Sequence, residues 1–505
     1  MSIDPAQVRY VATPGTTAFM RLLDSGARQE ALAVLDEHWG EIWYAIDPTD
    51  LKALLGTIPD PSATLGDAAY LQELVGSGTG AGVQEPPAGA RPEQRLTVIA
   101  QQIADLRLAG KPAAAMEMVW AIADDVRRLR GPVVDTTEGG VGMWLVQAGI
   151  TAFLAGDLTG ARTLLREVVG LHRPARFPFV EREAAAKLAL VHAVAGEPQE
   201  AEVWLARADQ APRTASWVEK LIDDSIWLAR YICAVDTLDL ELAEQMRRAS
   251  PSPFAQLEFW GPALQAQVRH LCLTGRHAQA RGLCDEMAAA GLPPPEADGW
   301  LSRMLNDAYL MCSPLGEATA DRTPRSDAVA LLASRVRLLT TGQFAQVTLR
   351  DMVEHAADLP TRTRLGLTLL RGQGLLYSGR QEDGRLVIQA ALAEAFERGT
   401  LGVLSLLTDD SLDQLSGTEL GMRARHLVDD RGIFRIKIVT VLSSPLSEAE
   451  TRVLRLLAQG MSRPQIAQAS YVSVDTVKSQ LSSAYRKLGV RNRAEAITKL
   501  EQLQG

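Results

Sequence analysis

Cysteine is scarce in this chain. Four residues in 505, Cys233, Cys272, Cys284 and Cys312, form no Cys-x-x-Cys pair. That spacing gives neither a zinc ribbon nor a dithiol redox motif, and buried, reduced thiols are expected. Cys272 and Cys284 are spaced to face one another across a helical hairpin, so a redox role for that pair stays open. The seven histidines are scattered, with none at metal-ligand spacing and none beside a Ser or Cys motif. His270 and His277 flank a turn and are expected at the surface. No catalytic constellation, metal site or cofactor site emerges, so the chain is not expected to be an enzyme. Aromatic residues make up 5% of the chain, and Trp217, Trp227, Trp260 and Trp300 are expected in the core rather than in a ligand cage. Apolar runs of membrane length and a secretory leader are also missing, and a cytoplasmic protein is expected.

Alternating strand patterns are equally rare. With 47% hydrophobic residues and long stretches of apolar residues at helical spacing, the chain is expected to be all-α. The helices repeat. A Gly is followed five residues later by a small residue at Gly26 and Ala31, Gly110 and Ala115, Gly156 and Ala161, Gly196 and Ala201, and Gly275 and Ala280. Weaker copies are Gly342 with Val347 and Gly379 with Gly384. Successive glycines lie 84, 46, 40, 79, 67 and 37 residues apart, several of them near 40 or twice 40. Each unit reads as a helical hairpin in which Gly makes the turn and the small residue lets the helices approach. One hairpin cannot bury its apolar face alone, so neighbours are expected to stack into an α-solenoid. The pattern resembles degenerate tetratricopeptide repeats without their usual Trp, Tyr and Pro positions. A missing copy near Asp236 implies an altered turn there, or no repeat.

Two breaks divide the chain. Residues 76–94 contain GSGTGAGVQEPPAGARP and are expected to link an N-terminal helical segment, 1–75, to a solenoid over 95–407. Their glycines lack the Lys-Ser/Thr and the preceding strand of a phosphate-binding loop. The second break, 408–444, is expected to be a connector. Its segment Ile433, Phe434, Ile436, Ile438, Val439 and Val441 is the best strand candidate in the chain.

Residues 445–505 are of a different kind. Three spacings fit capping boxes: Ser447 with Glu450, Ser462 with Gln465, and Asn492 with Glu495. Gly460 stands where a first helix should end, and Ser473 can cap a third. Two helices joined by a tight turn at 470–472 predict a helix-turn-helix. Val477, Leu481, Ala484 and Leu488 would pack on Val453, Leu454, Leu457 and Ile466. Asp475, Ser479, Ser482 and Arg486 lie on another face, flanked by Lys478. Residues 444–505 hold nine Lys and Arg against five Asp and Glu, near +4. The whole chain is −9, leaving about −13 for the remainder. A basic module on an acidic chain fits phosphate binding.

These residues resemble the LuxR-type helix-turn-helix of bacterial transcription regulators over about 60 positions. The match runs through Leu446, Ser447 and Glu450, then Val453-Leu454, Gly460, Ser462, Ile466 and Ala467. It continues through Thr476-Val477-Lys478 and Lys487-Leu488-Gly489-Val490. The resemblance implies a dimer that binds double-stranded DNA through the third helix. The expected contacts are Ser473, Asp475, Thr476, Lys478, Ser479, Ser482, Arg486, Lys487, Arg491 and Arg493. A fourth helix, with Ala496, Ile497, Leu500 and Leu503 as its apolar stripe, is expected to form the dimer seam.

The sequence departs from the family at Gln480, where His is usual, and at Ala484 and Ser470, where larger apolar residues are usual. Tyr471 and Tyr485 are expected to fill some of that space. Relatives of this kind carry different input modules. This chain resembles the large ATP-dependent ones without their ATPase, so its solenoid is expected to receive an effector: a protein, a peptide or a small molecule. The rival reading is a helical-repeat scaffold whose terminal unit contacts proteins instead of DNA.

Overall fold

The computed structural model describes residues 8–56, 92–129, 139–171, 177–250, 258–312, 359–377, 379–435, 448–488, 490, 493 and 495–497. Among them every regular element is a helix, and the one strand-type pairing is the isolated bridge between Tyr10 and Ile46. The described residues fall into two compact units. The first comprises Met1–Cys312 with Pro360–Arg362 and Phe396–Gly402, and the second takes the rest.

The first unit is built from helical hairpins. Its helices are α1 (Pro14–Asp24), α2 (Arg28–Ala45), α3 (Pro48–Leu55), α4 (Pro92–Leu108), α5 (Pro112–Leu129), α6 (Gly140–Ala155), α7 (Leu158–Val169), α8 (Val180–Ala195) and α9 (Pro198–Gln210). They continue with α10 (Val218–Asp236), α11 (Leu240–Arg248), α12 (Trp260–Leu273), α13 (His277–Ala289) and α14 (Met304–Cys312). Gly26, Gly110, Gly156, Gly196 and Gly275 all have positive φ at the hairpin turns. The residue after each donates its N–H to the carbonyl five residues back, as Asp157 does to Ala152 at 2.8 Å and Glu197 to His192 at 3.0 Å. This closure satisfies carbonyls that a helix end leaves unpaired. The alanines five residues after each glycine, Ala31, Ala115, Ala161, Ala201 and Ala280, are completely buried.

The gap near Asp236 is filled by the same turn without its glycine. Leu238 has φ +60, Asp239 donates to the Ala234 carbonyl at 2.9 Å, and Ala243, five residues on, is buried. A left-handed backbone costs a non-glycine residue about 1–2 kcal/mol. Leu238 is 0% exposed, and burying its side chain contributes about 1.5–3 kcal/mol, enough to hold the turn. The Gly342 copy lies outside the described residues.

In the central hairpin the first helix is buried all round and the second on one stripe. In α6 every residue from Gly140 to Leu154 is buried, whereas α7 buries Ala161, Leu165 and Val168. Charged side chains on the inner helices therefore need partners inside. Arg107 pairs with Glu258 at 2.9 Å and donates to Gln147, and Lys187 donates to Ser225 at 2.7 Å and lies 4.8 Å from the Phe259 ring centre. Burial pushes the Glu183 carboxyl up and the Lys187 ammonium down. Arg362 donates to the Ala193 and Val194 carbonyls at 2.7 Å each and pairs with Asp236, which locks the end of α8.

Several expectations change here. Residues 8–56 of the N-terminal segment pack against the start of α10. Trp217 donates to the Trp43 carbonyl at 2.9 Å and stacks on Tyr44, which also meets Phe177 and Phe179. The expected linker lies outside the described residues up to 91, and its last three positions open α4. His270 is fully buried and hydrogen-bonded to the Tyr231 hydroxyl at 3.0 Å, not on the surface. Burial and Arg276 lower its pKa to about 4. The tryptophans pack as expected: Trp260 is in the α12–α14 core with Trp300 against it, and Trp227 stacks on Tyr231. Cys284 is hydrogen-bonded to Cys312, and Cys272 packs against the same core and donates to the Met311 carbonyl. Burial pushes the Cys272 thiol up to about 12, which makes it unreactive at neutral pH.

Helices α15 (Thr361–Tyr377) and α16 (Gln381–Arg398), which lie in the second unit from Thr363 to Ala395, form another hairpin around Gly379, with φ +89. They cross backbone to backbone: a Cβ on Gly384 would stand 2.8 Å from the Gly372 carbonyl oxygen. The segment expected as a connector holds two helices, α17 (Asp409–Gln414) and α18 (Glu419–Asp430), capped by Thr408 and Thr418. Buried Gln373 ties them to α15 by donating to the Leu406 carbonyl and accepting from the Thr408 N–H. Ile433 is not in a strand. It donates to the Val428 carbonyl and closes α18, and residues 436–441 of the strand candidate lie outside the described residues.

Candidate nucleic-acid interface

Among the described residues, the C-terminal domain is built on α19 (Glu448–Ala458), α20 (Arg463–Ser470) and α21 (Val474–Leu488). Their apolar residues recur at helical spacing and meet in one core of Val453, Leu454, Leu457, Ile466, Ala467, Val477, Leu481 and Ala484. Gly460, with φ +87, ends α19, and Met461 donates back to the Leu456 carbonyl. At the start of α20 the Gln465 side-chain oxygen accepts from both the backbone N–H and the hydroxyl of Ser462, at 2.8 Å each. Ser447 and Asn492, expected in the other two capping boxes, lie outside the described residues.

The turn between α20 and α21 is tight. Tyr471 takes a left-handed conformation, φ +54, and Val472 donates to the Ala467 carbonyl at 3.1 Å. Ser473 then caps α21. Its hydroxyl oxygen accepts from the Thr476 N–H at 3.1 Å, and the two hydroxyls lie 2.8 Å apart.

From this start α21 divides as its sequence predicts. Val477, Leu481 and Ala484 are buried, while Ser473, Asp475, Thr476, Lys478, Ser479 and Ser482 are exposed. The result is a strip of hydroxyls, one carboxylate and one ammonium along the outer side of a rigid helix. Such groups can donate to and accept from base edges and phosphates. Exposed Arg452, Arg455, Arg463 and Lys478 make no ion pair among the described residues. The side chains of Arg486 and Lys487, and the whole of Arg491, Leu500 and Leu503, lie outside them.

Two expected site residues have other duties. Arg493 donates to the Leu457 carbonyl at 3.0 Å and so holds the end of α19. Ala496 is completely buried in the domain core. Ile497 is half-buried. Tyr485 packs on the core as expected, but Tyr471 is 95% exposed and fills none of the space beside Ser470. The Ser470 hydroxyl is buried and makes no hydrogen bond. The Arg493 tie has no sequence signal beyond the helix end that Gly460 marks.

Among the described residues, no group of His, Cys, Asp or Glu could hold a metal ion, and no helix is long and apolar enough to cross a membrane. The family of bacterial regulatory proteins of the luxR type matches residues 444–500. The chain is also similar to the HTH-type transcriptional regulator MalT of Serratia proteamaculans (strain 568), with 27% identity over 202 residues. That alignment covers 34% of this chain and 22% of the relative's length. With three helices, a tight turn and an exposed polar strip on the third, residues 444–500 are a LuxR-type helix-turn-helix domain.

Proposed function

We propose that the protein is a transcriptional regulator acting in the cytoplasm, with α21 in the major groove of duplex DNA and the helical hairpins as the receiver of its signal. The observation that carries this reading is the bare polar strip of α21 on a segment near +4 within a chain of −9. Asp475, Ser479 and Ser482 suit base edges, with a carboxylate accepting from cytosine and hydroxyls serving several bases. Lys478, Arg486, Lys487 and Arg491 supply positive charge for phosphates. Ser473 and Thr476 present the helix start. The relative's name, an HTH-type transcriptional regulator, supports the same reading.

The protein binds as a two-fold dimer, with Ile497, Leu500 and Leu503 as the seam and Ala496 left to the core. Its half-sites then lie about one helical turn, roughly 10 base pairs, apart. The effector on the hairpins is a protein, a peptide or a small molecule that binds one arrangement of the chain better than another. Genome-wide mapping of DNA bound by the full-length protein, followed by footprinting, tests this. Enriched promoter sites with paired half-sites are expected. An absence of enriched sites would favour a scaffold role, and single half-sites with a monomeric complex would overturn the dimer.

A further inference from the structure

Tyr471 is badly placed for stability. Its backbone is left-handed, a conformation that Gly or Asn adopts more cheaply, and its ring is 95% exposed. Leu238, the other non-glycine residue with positive φ among the described residues, is completely buried and so compensates its backbone by packing. Tyr471 has no such compensation. The turn needs a left-handed residue there, but not a tyrosine, and a costly residue type at an exposed position points to function.

Its position suggests which. Tyr471 stands two residues before the Ser473 cap, on the chain that leads into α21. Val474, at the first position of that helix, is 45% exposed, so an aromatic and an aliphatic side chain border the polar strip of Ser473, Thr476 and Lys478. When a helix enters the major groove by its N-terminal residues, the turn before it lies against the sugar–phosphate backbone at the groove's edge. Tyrosine hydroxyls are among the groups that bond phosphate oxygens there.

We infer that Tyr471 is a DNA-contacting residue, its phenol hydroxyl donating to a backbone phosphate at the mouth of the major groove. The inference rests on the reading of α21 as the DNA-binding helix. The bond registers the helix against the duplex without adding charge. A neutral donor releases no counterion, so its contribution should not change with salt, whereas that of a lysine should.

The test uses the full-length protein and a fluorescent duplex cut from its own strongest-bound genomic region. Affinity is measured across a salt series for Tyr471→Asn, Tyr471→Phe and Lys478→Ala, with the melting temperature of each. Tyr471→Asn should melt at or above the parent temperature, because Asn tolerates the left-handed turn. It should bind about three- to tenfold more weakly, the worth of one hydrogen bond, with an unchanged slope of log affinity against log salt. Tyr471→Phe should lose as much. Lys478→Ala should lower the slope by about one.

Parent-like affinity in either tyrosine variant, with Lys478→Ala weakened, would overturn the role of Tyr471 and leave α21 as the DNA-binding helix. Parent-like affinity in all three would remove both. Tyr471→Asn with normal DNA affinity but lost reporter transcription would assign the ring to a protein partner, and overturn the inference.

Discussion

The hairpins of the first unit and the C-terminal helix-turn-helix join their helices in the same way yet treat polar groups in opposite ways. Both end a helix in a left-handed residue whose successor donates back to the carbonyl five residues earlier, and both then start the next helix at once. In the hairpins the surroundings of these turns are locked: Arg362 seals the end of α8, Arg107 is paired with Glu258, and even the irregular Leu238 is buried. In the helix-turn-helix the equivalent surfaces are bare. Tyr471, Lys478 and the hydroxyls of α21 face solvent, and Ser470 keeps a buried hydroxyl without a partner. One part pairs its buried charges with one another, although Trp144 and Gln267 keep buried N–H groups without a hydrogen bond, and the other presents its polar groups outward.

The sharpest break of that comparison is Gly196→Ala. Gly196 has φ +83, and a Cβ there would stand 2.5 Å from the Arg362 Cβ and 2.9 Å from its backbone nitrogen. Backbone strain and overpacking together should cost about 3 kcal/mol in urea unfolding of the full chain. Gly26→Ala, with nothing within 4 Å of its Cβ, should cost about 1 kcal/mol. Equal losses would show that the turns are not locked individually.

Glu197 stands beside Gly196 at the same turn. Burial alone would raise its pKa, but hydrogen bonds from His192 and Thr361 and the Arg162 charge outweigh burial and hold it at about 2. A carboxyl depressed below its ordinary 4.5 contributes stability above that pH and loses it as pH falls toward 2. Glu197→Gln should lower stability by about 2 kcal/mol at neutral pH and flatten the acid limb between those values. A parallel, undiminished acid limb would remove Glu197 from the lock.

Two smaller effects should have opposite signs. Ser470→Ala removes a buried hydroxyl that makes no hydrogen bond, and should stabilise the C-terminal domain by about 1 kcal/mol without changing DNA affinity. Leu238→Gly relieves about 1–2 kcal/mol of backbone strain but gives up about 1.5–3 kcal/mol of burial. It should therefore destabilise by up to about 2 kcal/mol. A gain in stability at 238 would mean that the leucine's packing does not hold the turn.

Much of this was legible in the residues because it rests on local chemistry. Gly with a small residue five positions on marks six of the described hairpins, since a left-handed turn and a close helix crossing each restrict the residue type. Val477, Leu481 and Ala484 announced the buried side of α21 by spacing alone. The seventh turn was hidden because Leu238 is held by long-range burial, which no local pattern reports. His270 was misread for the same reason: it is buried by Tyr231, 39 residues away. In the site, Arg493 and Ala496 looked like contact residues by charge and periodicity. Their engagement with α19 and the domain core is set by long-range packing, which charge and periodicity do not report.

The central claim is that α21 holds DNA through its outer strip, and Lys478→Ala tests it most directly. Full-length parent and variant are titrated on the same duplex across a salt series, with circular dichroism to show unchanged helix content. Weaker binding, with a slope of log affinity against log salt reduced by about one, is predicted. Unchanged affinity and slope would contradict the account.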